Sequence, residues 1–363
     1  MKMKVAVIGL KGLPAFGGAA TVGENIIMEL SEKYDFTVYS VSSHASPEHV
    51  NNHFNQIVFS KSLLSKINVF MYYWKSALHA VFLKQYDLVH LHHIDGAYIL
   101  PLIRLKYRVI LTAHARPQLA EKWPWYAKLL FTLSEWIAIK LSNEFTCVSK
   151  SLQDYLSKKY SYKRFHYISN GTRNEFDLND SYKQKDYILF TAGRIIPVKG
   201  LHLLLKSLRK LQFKGLLIVI GNLDHVDSYK KKVLKMAQGL NVKFIGLIKE
   251  KNVLFNYLKE AKVFVFPSYS ENMSMVLLEA ATTGTPIVCS DIQENKDIFG
   301  NNEVLYFKSG NIDDLANKIE FAITHPKDMK TRANEAYKKL EEEFLWESIA
   351  PKYANLFDSL LQS

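Results

Sequence analysis

The sequence predicts an α/β protein of two doubly wound domains, and three observations lead to that class. The chain is 363 residues long, more than one hydrophobic core usually organises. Short β-branched and aromatic runs alternate with longer helical patterns through both halves, the pattern of parallel sheets covered on both faces. A glycine-bearing turn follows the first strand-like run of each half, at Gly9 and at Gly193, where open α/β sheets bind their ligands.

In the first half, residues 4–10, 36–41, 56–60, 88–92, 109–113, 145–149 and 166–169 read as strands. Apolar periodicity then lapses in a stretch rich in Asn, Asp and Lys. This places a first domain at 1–172, a linker at 173–186 and a second domain at 187–345. Strand-like runs resume at 187–193, 216–221, 242–246, 263–267, 286–290 and 304–307. The end, 346–363, reads as a helix whose stripe of Ile349, Tyr353, Leu356, Phe357 and Leu360 must dock. Periodicity alone leaves two docking places open, the second domain or a return to the first.

Composition narrows the function classes. Apolar residues make up 48% and charged residues 23%, which argues against extensive disorder. Two cysteines, Cys147 and Cys289, give no disulfide scaffold or cysteine-based zinc site. The N-terminus reads as a strand and not as a signal peptide, so the expected location is the cytoplasm. Residues 1–175 hold 21 Lys and Arg against 12 Asp and Glu, so most of the net charge of +12 lies in the first half. That bias suits an anionic contact: nucleic acid, an acidic bilayer or a phosphate-bearing acceptor. Dispersed lysines and the lack of a recognised module argue against nucleic acid.

Three segments carry candidate chemistry. The first is the loop with Gly9, Gly12, Gly17 and Gly18 ahead of a helix near Thr21. Glycines there allow close approach to a phosphate, and the helix N-terminus would stabilise its charge. A tight turn without a ligand explains the loop equally well. Its spacing is not the dinucleotide fingerprint, and Ser40 and Ser42 stand where an acidic ribose ligand belongs, so a nicotinamide enzyme is disfavoured. The second segment runs from Gly193 through Arg194 and Lys199 to Gly200, before a helix over 201–211. Its two cations could neutralise a diphosphate without a metal. The third holds Glu271 and Glu279 with seven residues between them, Met273 and Ser274 included. The helix carrying Glu279 is otherwise apolar, so that acid needs a partner, and sugar hydroxyls would suit it.

The order of these motifs resembles the retaining GT-B glycosyltransferases of family four: the early glycine loop, the Gly-Arg-x-x-x-x-Lys-Gly turn of 193–200, and the Glu-x7-Glu segment of 271–279 followed by Gly284-Thr-Pro286. The resemblance covers essentially the whole chain. It implies two Rossmann-like domains facing a central cleft, the first binding the acceptor and the second the nucleotide sugar. Arg194 and Lys199 would hold the donor diphosphate, Glu279 the ribose, and Glu271 the transferred sugar, assisted by backbone amides near Met273 and Ser274. Gly17 and Gly18 would approach the phosphates. His114, in Leu-Thr-Ala-His-Ala, would contact the donor sugar or support the reacting centre; a polar strand-end histidine is the plain alternative. Asn272 stands where relatives commonly have glycine.

The family reaction retains anomeric configuration, the leaving diphosphate drawing the acceptor proton, with no protein nucleophile and no metal. No further cofactor is expected. His90, His92 and His93 are grouped, but strand alternation should put His92 and His93 on opposite faces, against a metal site. The early Lys-Gly-Leu-Pro-Ala-x-x-Gly-Gly string and the segment from Ala120 through Trp136 to Ser149 and Lys150 are similar to a capsule and exopolysaccharide rhamnosyltransferase subgroup. The implied acceptor is a saccharide or a lipid-linked saccharide. An epimerase acting on sugar nucleotides is the alternative enzyme. Two aromatic, lysine-bearing segments, 63–86 and 119–141, are too short in uncharged length to span a bilayer. They could lie on an anionic membrane, although packing inside the first domain is the expectation for most of their rings.

Overall fold

A computed structural model describes residues 2–14, 18–45, 52–60, 68–119, 124–174 and 184–362. The chain forms two compact units: unit 1 comprises Met1–Asn170 with Trp346–Ser363, and unit 2 comprises Gly171–Leu345.

Unit 1 runs β1 (Met3–Lys11), α1 (Gly18–Leu30), β2 (Tyr34–Val41), β3 (Phe54–Phe59), α2 (Asn68–Leu78), β4 (Leu88–His92), α3 (Leu100–Ile103), β5 (Arg108–Ala113), α4 (Trp125–Leu141), β6 (Glu144–Cys147), α5 (Lys150–Lys159) and β7 (His166–Tyr167). Unit 2 runs β8 (Tyr187–Arg194), α6 (Leu201–Lys210), β9 (Leu216–Asn222), α7 (Asp227–Ala237), β10 (Val242–Gly246), α8 (Lys251–Glu260), β11 (Val263–Phe266), α9 (Met275–Thr282), β12 (Ile287–Ser290), α10 (Gln293–Lys296), β13 (Leu305–Phe307), α11 (Ile312–Thr324) and α12 (Pro326–Glu343), and the chain ends in α13 (Trp346–Gln362).

Each unit has one parallel sheet. The strand orders are β3-β2-β1-β4-β5-β6-β7 and β10-β9-β8-β11-β12-β13. In each, the order reverses beside the first strand, between β1 and β4 and between β8 and β11. That reversal splits the loops at the carboxyl edge and leaves a crevice for ligand. Continuous apolar strands such as 5–8 and 263–266 are buried because helices cover both faces.

The expected linker falls partly on residues 175–183, which lie outside the described residues. Of its flanks, Thr172 donates its amide to the Phe344 carbonyl at 2.8 Å and bridges Leu345 within unit 2. Of the two docking places left open for the last helix, the structure takes the return to the first. Trp346, Ile349, Tyr353, Phe357 and Leu360 join Val5, Val7, Ile26 and Phe36 in one buried cluster. The Phe357 ring meets Tyr34 edge-on at 5.3 Å, and Asp358 accepts from Tyr34 Oη at 2.6 Å.

The aromatic segments divide. Tyr72 and Tyr73 are buried in the unit 1 core, as expected. Helix α4 departs from that expectation: it buries Phe131, Glu135, Ala138 and Ile139 but exposes Trp125, Tyr126, Leu129, Leu133 and Trp136 along the opposite side. Trp123 lies outside the described residues. No described helix is long and apolar enough to cross a membrane.

Candidate functional site

Strands β8 and β11 lie side by side, so the loops leaving their carboxyl ends adjoin. Strand β8 delivers Gly193 and Arg194 to the surface. A short turn, Pro197–Lys199, then leads to Gly200, whose φ of 74° is left-handed. A Cβ on Gly200 would lie 2.0 Å from the Pro267 carbonyl oxygen, so the β8 loop can press against the β11 loop only with glycine there. The same contact brings the Tyr269 amide to the Val198 carbonyl at 2.8 Å. Gly193 differs, since a Cβ there would meet nothing within 4 Å. The fold does not require glycine at that position.

The loop contact joins two predicted residues directly. Lys199 Nζ reaches both carboxylate oxygens of Glu271, at 2.6 and 2.8 Å, and Ser268 Oγ donates to the same carboxylate at 2.7 Å. Both partners are largely shielded from water, with side chains 23% and 10% exposed, which strengthens the pair relative to a surface bridge. Among the described residues, the Arg194 side chain makes no ion pair or hydrogen bond, and it stays exposed.

Met273 and Ser274 are buried where the β11 loop enters α9, and Ser274 is the N-cap without spending its side chain as a cap. Asn272 is exposed and does not have a positive φ. The backbone path therefore does not depend on glycine at that position. Glu279 lies on α9, partly buried, and among the described residues its carboxylate has no hydrogen bond or salt bridge. Desolvation pushes its pKa up to about 7, with Lys251 pulling the other way. An unpaired acid whose pKa is raised by burial is a group that a hydrogen-bonding ligand would satisfy.

Unit 1 presents its own set at the β1, β4 and β5 ends. Gly9 has a φ of 113°, and a Cβ on it would lie 2.2 Å from the His92 carbonyl oxygen; one on Gly12 would lie 2.2 Å from the His44 carbonyl oxygen. These two glycines serve the chain's own packing. A Cβ on Gly18 would meet nothing within 4 Å, and Gly18 is the first residue of α1, which starts three residues before Thr21. Gly17 lies outside the described residues.

His114 follows β5 and is 7% exposed. Its Nε2 is 3.0 Å from Nδ1 of the fully buried His92. Burial holds both rings far below the ordinary histidine pKa, so both are neutral. Strand alternation fails for His93: its φ of 76° turns it out of the strand, and its ring centroid comes within 4.9 Å of that of His114. Among the described residues, no group of His, Cys, Asp and Glu has the geometry of a metal site. The His92–His114 link was missed in the sequence. Its signal is the register of β4 and β5, which pairs His92 with Thr112 and puts residue 114 on the same side, one pleat further.

Comparison with known proteins agrees with this architecture. Residues 16–176 match the family model described as Glycosyltransferase Family 4, and residues 173–339 match Glycosyl transferases group 1. The chain is similar to the capsular polysaccharide biosynthesis glycosyltransferase CapM of Staphylococcus aureus, at 26% identity over 208 residues, covering 54% of this chain and 53% of that protein. It is also similar to the N,N'-diacetylbacillosaminyl-diphospho-undecaprenol alpha-1,3-N-acetylgalactosaminyltransferase of Campylobacter jejuni, at 26% identity over 220 residues, covering 60% and 55%. Among solved structures, HepE of Anabaena in complex with UDP-glucose superposes with a TM-score of 0.78 at 17% identity, over 98% of this chain and 100% of that one. Two parallel Rossmann-like sheets in this order give the GT-B fold. With its two halves matched in sequence by the paired family models, the chain belongs to the group 1, family 4 glycosyltransferases.

Proposed function

We propose that the chain is a retaining glycosyltransferase moving a sugar from a nucleotide diphosphate donor to a saccharide or lipid-linked saccharide in surface polysaccharide biosynthesis. The observation that carries the donor site is the Lys199–Glu271 pair beside the unpaired Arg194, at the carboxyl edge where β8 meets β11. Arg194 and Lys199 bind the diphosphate and offset the charge that grows on it as the glycosidic bond breaks. Lys199 then exchanges Glu271 for phosphate oxygens. Glu271, freed from its cation, accepts hydrogen bonds from hydroxyls of the transferred sugar, with the amides around Met273 and Ser274 assisting. Glu279 accepts from the ribose, and ionises as it does so. Gly17, Gly18 and His114 are further candidate donor contacts. The leaving diphosphate takes the acceptor proton on the same face, so no side chain forms a covalent intermediate and no metal is required.

The relatives support the wider setting. CapM acts in capsule biosynthesis, and the Campylobacter enzyme is named for a diphospho-undecaprenol acceptor. HepE binds UDP-glucose, which makes a UDP-sugar the first donor to test. A deoxysugar such as rhamnose remains within the same reading. The exposed face of α4, with Lys128 and Lys140 on the same helix, would rest on the anionic inner face of the cell membrane, where a lipid-linked acceptor is found.

The test is a thermal-shift panel of sugar nucleotides followed by isothermal titration of the best one. Lys199→Ala and Arg194→Ala should each weaken it at least about tenfold, since a charge-assisted contact to phosphate supplies about 1.5–3 kcal/mol; Arg194→Ala should melt like the parent, whereas Lys199→Ala should melt lower because it leaves Glu271 without its cation. Unchanged affinity in both variants overturns the diphosphate assignment. Turnover should persist in excess chelator, and a strict divalent-ion requirement would refute the metal-free mechanism.

A further inference from the structure

The proposed function uses His114 but not the histidine behind it. His92 is wholly buried. Its ring lies nearly parallel to that of His114, with centroids 5.3 Å apart and a 17° interplanar angle, and on its other side the His90 ring is 4.1 Å away. Its Nε2 is sealed from water and has no hydrogen-bond partner. Among the described residues, the only hydrogen bond of the His114 ring is Nε2 to His92 Nδ1.

Two neutral arrangements satisfy that bond. If His114 donates from Nε2, then His92 must carry its proton on Nε2, leaving a buried N–H with no acceptor. If His92 donates from Nδ1, its Nε2 is only an unfilled acceptor. Orphaned buried N–H groups are the rarer of the two in folded proteins. The second arrangement is therefore favoured, and it puts the His114 proton on Nδ1, the ring atom left free for a ligand.

We propose that His92 is a positioning residue: by donating from Nδ1 to Nε2 of His114 it holds His114 in the Nδ1–H form, so that His114 offers the transferred sugar a hydrogen-bond donor and not an acceptor. This rests on the glycosyltransferase reading for its consequence, but the tautomer can be read without turnover. The complementary sugar atom is an oxygen lone pair. Substrate preference should then follow the presence of that oxygen.

The experiment uses the full chain with 15N-labelled histidine and long-range proton–nitrogen correlation of the imidazoles, the His114 signals being assigned by their loss in His114→Gln. The parent should show the proton on Nδ1 of His114. His92→Asn keeps an N–H near the position of Nδ1 and should preserve both that tautomer and most of kcat. His92→Phe removes the donor; His114 should then populate both tautomers, and kcat should fall about tenfold with KM changed less than about twofold. A parent spectrum with the proton on Nε2 of His114 overturns the proposal, as does a His92→Phe variant with unaltered tautomer or kcat. Should His92→Phe fail to fold, the parent spectrum and His92→Asn decide. A parent with the Nδ1–H form but no turnover of any sugar nucleotide would sink the glycosyltransferase reading while leaving the His92–His114 assignment standing.

Discussion

Replacing Glu279 by Gln separates what the apo fold endures from what the donor needs. The Glu279 carboxyl has its pKa raised from 4.5 to about 7, chiefly by desolvation. A raised carboxyl costs nothing below the unfolded value, where both states are protonated. The cost grows between pH 4.5 and 7 and is complete above that. In full it would be about 3 kcal/mol, and the share of the side chain still in contact with water reduces it to about 2 kcal/mol. Glu279→Gln should therefore melt at the same temperature as the parent near pH 4.5 and about 4–8 °C higher at pH 8. Donor binding runs the opposite way. On the proposed function, ribose hydroxyls would donate to the ionised carboxylate, so binding a sugar nucleotide at pH 7 should release protons from the parent and none from Glu279→Gln. The proton count comes from calorimetry in buffers of different ionisation enthalpy. A melting difference that is flat from pH 4.5 to 8, or equal proton release in the two proteins, would refute the reasoning.

Three further outcomes follow from the same structure. Gly200→Ala, forced into a left-handed conformation against the Pro267 carbonyl, should lower unfolding stability by about 2 kcal/mol or more, whereas Gly193→Ala should melt normally and weaken only donor binding; equal melting of the two contradicts the assignment of these glycines. Glu135 is fully buried and accepts from Gln118, Lys159 and Tyr160, so Glu135→Ala should cost about 2–3 kcal/mol in urea unfolding, and less than 0.5 kcal/mol would mean the cluster is not a structural tie. Leu129→Glu with Leu133→Glu, both on the exposed face of α4, should leave melting unchanged and reduce co-sedimentation with anionic phosphatidylglycerol vesicles more than about tenfold. Undiminished sedimentation would remove α4 as the membrane face.

The parts of this molecule legible in its sequence are those set by local pattern. Buried parallel strands announce themselves as unbroken apolar runs, so 187–193 and 263–267 differ from the observed β8 and β11 by one residue each. Arg194, Lys199 and Glu271 stand out as candidates because chain order places them at the ends of those strands, and Glu279 because it is the one acid on the apolar helix that follows. Pattern could not say how Lys199 is occupied before a ligand arrives, since its pairing with Glu271 depends on two loops meeting across 72 residues of sequence. Nor could it locate α13, whose stripe is equally apolar whichever sheet receives it. The docking is settled by tertiary partners, Tyr34 and Phe36 among them.

The same distinction explains why the histidines misled. Period-2 alternation is a property of extended backbone, and it holds for His90 and His92, whose rings lie on one face, tilted at 37° with centroids 4.1 Å apart. It ends where the chain leaves the strand, and at His93 the backbone has already turned to a φ of 76°. The neighbouring strand packs tightly against this end of β4. Gly9 in β1 brings its backbone so close that its missing Cβ would strike the His92 carbonyl, and the Gly9 amide is held by Tyr72 Oη at 2.8 Å. Tyr72 in turn donates to the Tyr39 carbonyl at 2.8 Å. The first glycine of the early loop is therefore packed against the β4 end that carries the histidines. A side chain at position 9 should on this account disturb His92 and His114 together, so Gly9→Ala should alter the His114 imidazole spectrum even without ligand; an unperturbed spectrum in a folded Gly9→Ala protein would break that chain of contacts at its first link.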